Sequence, residues 1–167
     1  MKAGARHITH LCNAMSPLAH REPGIIGAAG DVRDVYAEVI CDLIHIHPSM
    51  IRRIYEMFGP ERICLISDSM EAAGMPDGDY TLGGQRVIKQ GRYARLADGT
   101  IAGSVSSLYD CLKCAVSAGI PLESAVRMAT YNPAASIGLE DKVGNFVKGA
   151  YADLLFLDKE LNIIKVL

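Results

Sequence analysis

The first half of the chain alternates between short apolar runs and segments with helix signals, and this alternation is what most constrains the fold. Residues 8–11 read as a short strand ending at Asn13, and residues 31–37 as a short helix. Residues 38–45 form a near-continuous apolar run, suited to a strand covered on both faces. Residues 48–58 read as a helix, with Pro48 in its first turn and Gly59-Pro60 as its stop. Residues 62–67 make another buried strand. Strands separated by helices imply parallel pairing through right-handed crossovers, so these strands should lie side by side.

The second half changes character. Asp77-Gly78, Gly83-Gly84, Gln90-Gly91 and Asp98-Gly99 punctuate short runs and signal hairpins. Helices are expected at 105–118, 121–130 and 133–137, and two antiparallel strands at 152–158 and 161–166. A few parallel strands cannot close a barrel of eight. The residues alone therefore leave two architectures, a small open α/β domain or a piece of a larger barrel.

Charge and composition remove several classes. A net charge of -2 over 167 residues leaves no basic footprint for nucleic acid or an anionic membrane. No apolar run approaches the roughly 20 residues of a membrane span. The start, Met1-Lys2-Ala3-Gly4-Ala5-Arg6-His7, lacks the apolar stretch of a secretion signal, so the cytoplasm is expected. Cys12, Cys41, Cys64, Cys111 and Cys114 are odd in number and scattered through apolar segments, which fits reduced thiols. Cys111 and Cys114 form a C-x-x-C, but no second ligand pair follows, and the segment reads as one helix face.

Sites in parallel α/β folds form at the C-terminal ends of strands. Three successive strands here end in reactive groups: His10, then His45 with His47 close behind, then Asp68. Each alone could be a hydrogen-bonded structural residue. Together at one rim they suit metal-assisted hydrolysis. Arg21 lies on a loop beside Gly27 and Gly30, a composition able to grip a phosphate. Ala102, Gly103 and Ser104 precede a helix, so their backbone amides are candidates for a polar ligand.

Thr9-His-Leu-Cys-Asn-Ala-Met15 followed by Arg21-Glu-Pro-Gly24 resembles the T-H-L-[FY]-N-A-M…R-E-P-G signature of N-acetylglucosamine-6-phosphate deacetylases. Asp42-Leu-Ile-His45 resembles that family's D-G-x-H, Leu65-Ile-Ser-Asp68 its L-[VI]-T-D, and Ala102-Gly103-Ser104 its A-G-S. Residues 144–158 are similar to the closing motif of the wider amidohydrolase superfamily. The resemblance implies an α/β fold, the C-terminal part of a TIM-type (β/α)8 amidohydrolase barrel with a small β-sandwich segment. It divides the chain into partial barrel (1–78), β-hairpin insertion (79–100), C-terminal barrel helices (101–142) and sandwich strands (143–167). It implies a divalent metal, zinc or iron, held in part by His10. It implies Asp68 as the catalytic acid/base. His45, Asn13, Ala14, Arg21, Ala102, Gly103 and Ser104 would bind a small sugar phosphate, with Arg21 reaching the neighbouring subunit of a homodimer.

Two departures stand out. Leu43 occupies the place of the family's glycine, and Cys12 that of an aromatic. The family also uses a glutamate and another histidine on the metal, and nothing in this sequence matches them. A catalytic zinc takes about three protein ligands. The alternatives are a non-catalytic remnant that binds a sugar phosphate or a partner, and an amidohydrolase acting on a cyclic amide, against which the phosphate-binding elements argue.

Overall fold

The computed structural model describes residues 4–167, so Met1, Lys2 and Ala3 of the start considered above lie outside the described residues. Its centre is a parallel sheet of three strands, β1 (His7–Ile8), β2 (Tyr36–Ile40) and β3 (Ile63–Ile66), in that order. The register sets Ile8 beside Ala37, and Val39 beside Leu65. These residues are buried, and they share one core with Ile26 and Ala29 of α1 (Gly24–Asp31) and Ile51, Ile54 and Phe58 of α2 (Pro48–Phe58). Side chains of the other parity face away from that core. There His7, Tyr36 and Glu38 are only half-buried. The His7 ring stacks on Tyr36 at 5.6 Å, and its Nδ1 lies 3.2 Å from Glu38 Oε1.

The parallel pairing expected from the sequence is present, but two boundaries differ. The first helix is at Gly24–Asp31, not 31–37, and residues 36–40 belong to the strand. Gly27 and Gly30 looked like loop glycines and possible anion contacts. They are instead packing glycines on a helix: a Cβ on Gly27 would sit 2.4 Å from Pro23 Cβ, and one on Gly30 would sit 2.8 Å from Met57 Sδ. The second correction concerns strand length. β1 stops at Ile8 and β2 at Ile40, while the apolar residues beyond them turn back over the rim. Apolarity reports burial there, not extension.

Arg62, just before β3, ties the two helices to the sheet. Its guanidinium donates to the carbonyls of Met57 and Phe58 at the end of α2, and of Val32 just past α1, at 3.0, 2.9 and 2.6 Å. These are carbonyls a helix C-terminus otherwise leaves unpaired. The group also lies 4.9 Å over the Phe58 ring, and burial lowers its pKa.

The insertion is a three-stranded antiparallel sheet, one strand more than a hairpin: β4 (Gly78–Leu82), β5 (Gln85–Gln90) and β6 (Tyr93–Arg95). Met70, Ala72, Val87, Ala94 and Ala102 form its own small core. Three helices follow: α3 (Leu108–Ser117), opened by a Ser107–Asp110 capping box, α4 (Leu122–Ala129) and α5 (Tyr131–Ser136). The end is the expected antiparallel pair, β7 (Leu155–Leu157) and β8 (Ile163–Val166). Tyr109 of α3 anchors it by donating to the Leu161 carbonyl. Among the described residues no helix is long and apolar enough to cross a membrane.

Candidate active site

The turns that leave the C-terminal ends of β1, β2 and β3 carry His10, His45 and Asp68, which parallel pairing puts on the same rim. The backbone is forced in all three turns. His10, Cys12 and Ala14 have φ of 37°, 76° and 51°, Leu43 has 62° and Asp68 has 49°. Left-handed backbone at non-glycine residues is costly and concentrates where a site demands it. Leu43 thus adopts the geometry a glycine would take without strain.

Asp42 organises the middle turn. It is 1% exposed, and its carboxylate is fully engaged. Oδ1 accepts the backbone amides of Ile44 and His45, both at 2.9 Å. Oδ2 takes the His45 Nδ1 contact at 2.8 Å and the Ser104 hydroxyl at 3.4 Å. Burial raises the Asp42 pKa, but the hydrogen bonds from the His45 ring and from the His45 and Ile44 amides outweigh it and hold the carboxyl below its ordinary value. Arg92, from the turn between β5 and β6, donates to the Asp42 carbonyl at 2.7 Å and locks the inserted sheet onto this turn.

Ser104 joins the second and third turns. Its amide donates to the Asp68 carbonyl at 3.1 Å, and its hydroxyl reaches Asp42. The Ala102 amide donates to Ala94. These two amides are therefore spent inside the fold, and α3 begins only at Leu108. That overturns the expectation that they are free for a ligand, because the inserted sheet and the β3 turn already use them. Asp68 itself is exposed.

His10 shows the opposite of satisfaction. Its Nδ1 is buried and has no hydrogen-bond partner among the described residues. Buried polar atoms are rarely left so, and an imidazole nitrogen without a partner suits a metal ligand. One nitrogen is not a binding set, however. Among the described residues no group of three His, Cys, Asp or Glu is placed to hold a metal ion. His47 is no stand-in, since its Nδ1 caps α2 by accepting the Ser49 amide at 3.2 Å. His7 lies in β1 itself, paired with Glu38. The C-x-x-C does not help either. Burial, with the Asp42 charge nearby, pushes the Cys111 thiol up to about 12, and Cys114 is raised as well. All the cysteines are free.

Asn13 and Ala14 lie on the β1 turn, and Asn13 Nδ2 donates to the Leu11 carbonyl at 3.3 Å. Arg21 is exposed, three residues before the first residue of α1, and makes no hydrogen bond or ion pair among the described residues. Sequence reasoning named His45 but gave no role to the residue that holds it. A signal existed: an aspartate inside an apolar run must be paired if it is buried. Nothing comparable marks Arg92, whose partner lies 50 residues away.

Comparison with known proteins gives a consistent picture. The amidohydrolase family model matches residues 1–167. An N-acetylglucosamine-6-phosphate deacetylase of Bacillus subtilis (strain 168) is 38% identical over 164 residues, 98% of this chain and 41% of that protein. An N-acetylgalactosamine-6-phosphate deacetylase of Escherichia coli O157:H7 is 37% identical over 165 residues, 98% of this chain and 44% of that protein. The solved structure of an aspartate-to-alanine variant of the Mycobacterium smegmatis N-acetyl-D-glucosamine-6-phosphate deacetylase, in complex with N-acetyl-D-glucosamine-6-phosphate, superposes with a TM-score of 0.93 at 40% identity. It covers 99% of this chain and 45% of that one. The chain thus spans less than half the length of these relatives.

Proposed function

Because the chain belongs to the amidohydrolase family, we propose that it carries part of the active site of a deacetylase. The reaction is hydrolysis of the acetamide of N-acetylglucosamine 6-phosphate to glucosamine 6-phosphate and acetate, in the cytoplasm. The observation that carries this is the rim itself. His10, His45 and Asp68 leave three consecutive parallel strands, on forced turns, and Asp42 and Ser104 bond the second and third turns together.

His10, with its unpartnered ring nitrogen, would be one ligand of a zinc or iron ion, and the remaining ligands would come from outside the described residues. When bound, such an ion polarises the amide carbonyl and lowers the pKa of water toward roughly 7. Asp68, exposed at the rim, takes the attacking water's proton and hands it to the amine nitrogen, which leaves only once protonated. His45 meets the acetamide. Asn13, Ala14 and Arg21 hold the phosphate. An exposed arginine with no internal partner, beside a helix N-terminus, suits that role and can serve the other subunit of a homodimer. Ala102, Gly103 and Ser104 wall the sugar by position rather than through the amides already engaged.

The test is a chimera in which residues 1–167 replace the matching stretch of the Bacillus subtilis relative, assayed for acetate release. Asp68→Asn should lower kcat by about 10²–10⁴-fold with substrate affinity nearly unchanged, since it removes a proton carrier and keeps the shape. Arg21→Ala should weaken phosphorylated substrate but not N-acetylglucosamine. A near-normal kcat for Asp68→Asn, or equal losses on both sugars for Arg21→Ala, would overturn the respective role. Faster turnover of N-acetylgalactosamine 6-phosphate would move the substrate to the 4-epimer, on which the Escherichia coli relative is named.

A further inference from the structure

We infer that Asp42 is a positioning residue: it fixes the proton of His45 on Nδ1, so that Nε2 is the ring nitrogen offered to whatever binds at the rim. That what binds is an acetamide rests on the function proposed above; the tautomer does not.

The inference follows from how the carboxylate's lone pairs are distributed. Oδ1 is occupied by two backbone amides, Ile44 and His45, which can only donate. Oδ2 faces the imidazole at 2.8 Å and also takes the Ser104 hydroxyl. An ionised carboxylate has no proton to give, so the ring must be the donor and Nδ1 must carry the hydrogen. The pair is 8% and 1% exposed in its side chains, so water does not compete for it. His45 Nε2 has no hydrogen-bond partner among the described residues. The surroundings brace the turn from two further sides. Arg92 grips the Asp42 carbonyl at 2.7 Å, and Ser104, tied to the Asp68 carbonyl, stands behind Oδ2.

In its neutral form such a ring presents Nε2 as an acceptor. On gaining a proton it becomes an imidazolium whose charge Asp42 balances, and Nε2–H then becomes a donor. That is the form able to stabilise negative charge developing on a carbonyl oxygen. Asp42 thus sets which nitrogen does the work without touching substrate.

Asparagine at this position makes a sharp test. Its single oxygen is claimed by the two backbone amides, so its NH₂ must turn to His45. An NH₂ can only donate, so Nδ1 would have to give up its proton and the ring would switch to the Nε2–H form. The experiment is nitrogen-15 NMR of the histidine rings in the full chain at about pH 8, above the usual imidazole range, with the His45 signals assigned from a His45→Gln sample. The expected result is a protonated Nδ1 on His45 in the natural protein and an unprotonated Nδ1 in Asp42→Asn. An unprotonated or averaged Nδ1 in the natural protein would overturn the inference, and that measurement stands even if Asp42→Asn does not fold. An unchanged tautomer in a folded Asp42→Asn would overturn it too. None of these readouts needs turnover, so a failure of the deacetylase proposal would leave them intact.

Discussion

Asp42 is the residue on which the rim most visibly depends. Its folded pKa lies below the ordinary value for an aspartate because the His45 and Ile44 hydrogen bonds outweigh burial. A depressed carboxylate contributes stability that is full above its unfolded pKa, about 3.9, and is lost as pH falls through the lower folded value. The natural protein should therefore lose stability as pH drops below about 4, and Asp42→Asn should be less stable at neutral pH with a flatter loss in acid. Urea midpoints across that range check this. At this scale the sequence was partly legible. His10, His45 and Asp68 could be picked out because reactive residues at the ends of apolar runs are conspicuous. The His45–Asp42 bond, and the use of the Ala102 and Ser104 amides inside the fold, could not. A sequence shows which groups exist, but not which partners a turn brings within 3 Å.

At the scale of elements, parallel order was legible because buried strands and amphipathic helices differ in period. What misled was α1, whose Gly27 and Gly30 mimic a loop. Gly30 leaves room for Met57 of α2, and Gly27 for Pro23 at the helix's own start. A helix chosen by contact distance rather than by propensity leaves little trace in composition. Nor did propensity announce Arg62, which gathers the ends of α1 and α2. Arg62→Leu removes the donors and leaves half-buried carbonyls unpaired, so it should cost about 2–4 kcal/mol. Arg62→Lys should recover only part, since one ammonium cannot span the carbonyls the planar fork reaches. Chemical denaturation measures both, and a loss for Arg62→Leu within error of zero would mean that water satisfies these carbonyls.

At the scale of the molecule, the sheet is open on every side that the helices do not cover. Among the described residues β1 and β3 each have a single strand neighbour, and the face bearing His7, Tyr36 and Glu38 is half-exposed. The C-terminal segment is barer still: Phe146 and Tyr151 ahead of the last strand pair, and Ile164 and Val166 within it, are exposed at 92%, 69%, 68% and 67%. Unpaired strand edges beside apolar patches associate. The isolated chain should therefore self-associate in a concentration-dependent way, and Ile164→Lys should reduce this. Light scattering coupled to gel filtration reads it, and a monodisperse monomer at high concentration would count against it. The same openness bears on catalysis. On the proposed reading the chain would offer the proton carrier, the phosphate grip and one metal ligand, and the described residues do not complete a set that holds an ion. The most direct test is acetate release from N-acetylglucosamine 6-phosphate by the purified 167-residue chain after loading with zinc. The expected result is no turnover above that of the His10→Ala variant. Turnover at ordinary enzyme rates, roughly 1–10³ per second, abolished by Asp68→Asn, would show that this chain completes the metal site by itself and would contradict the account.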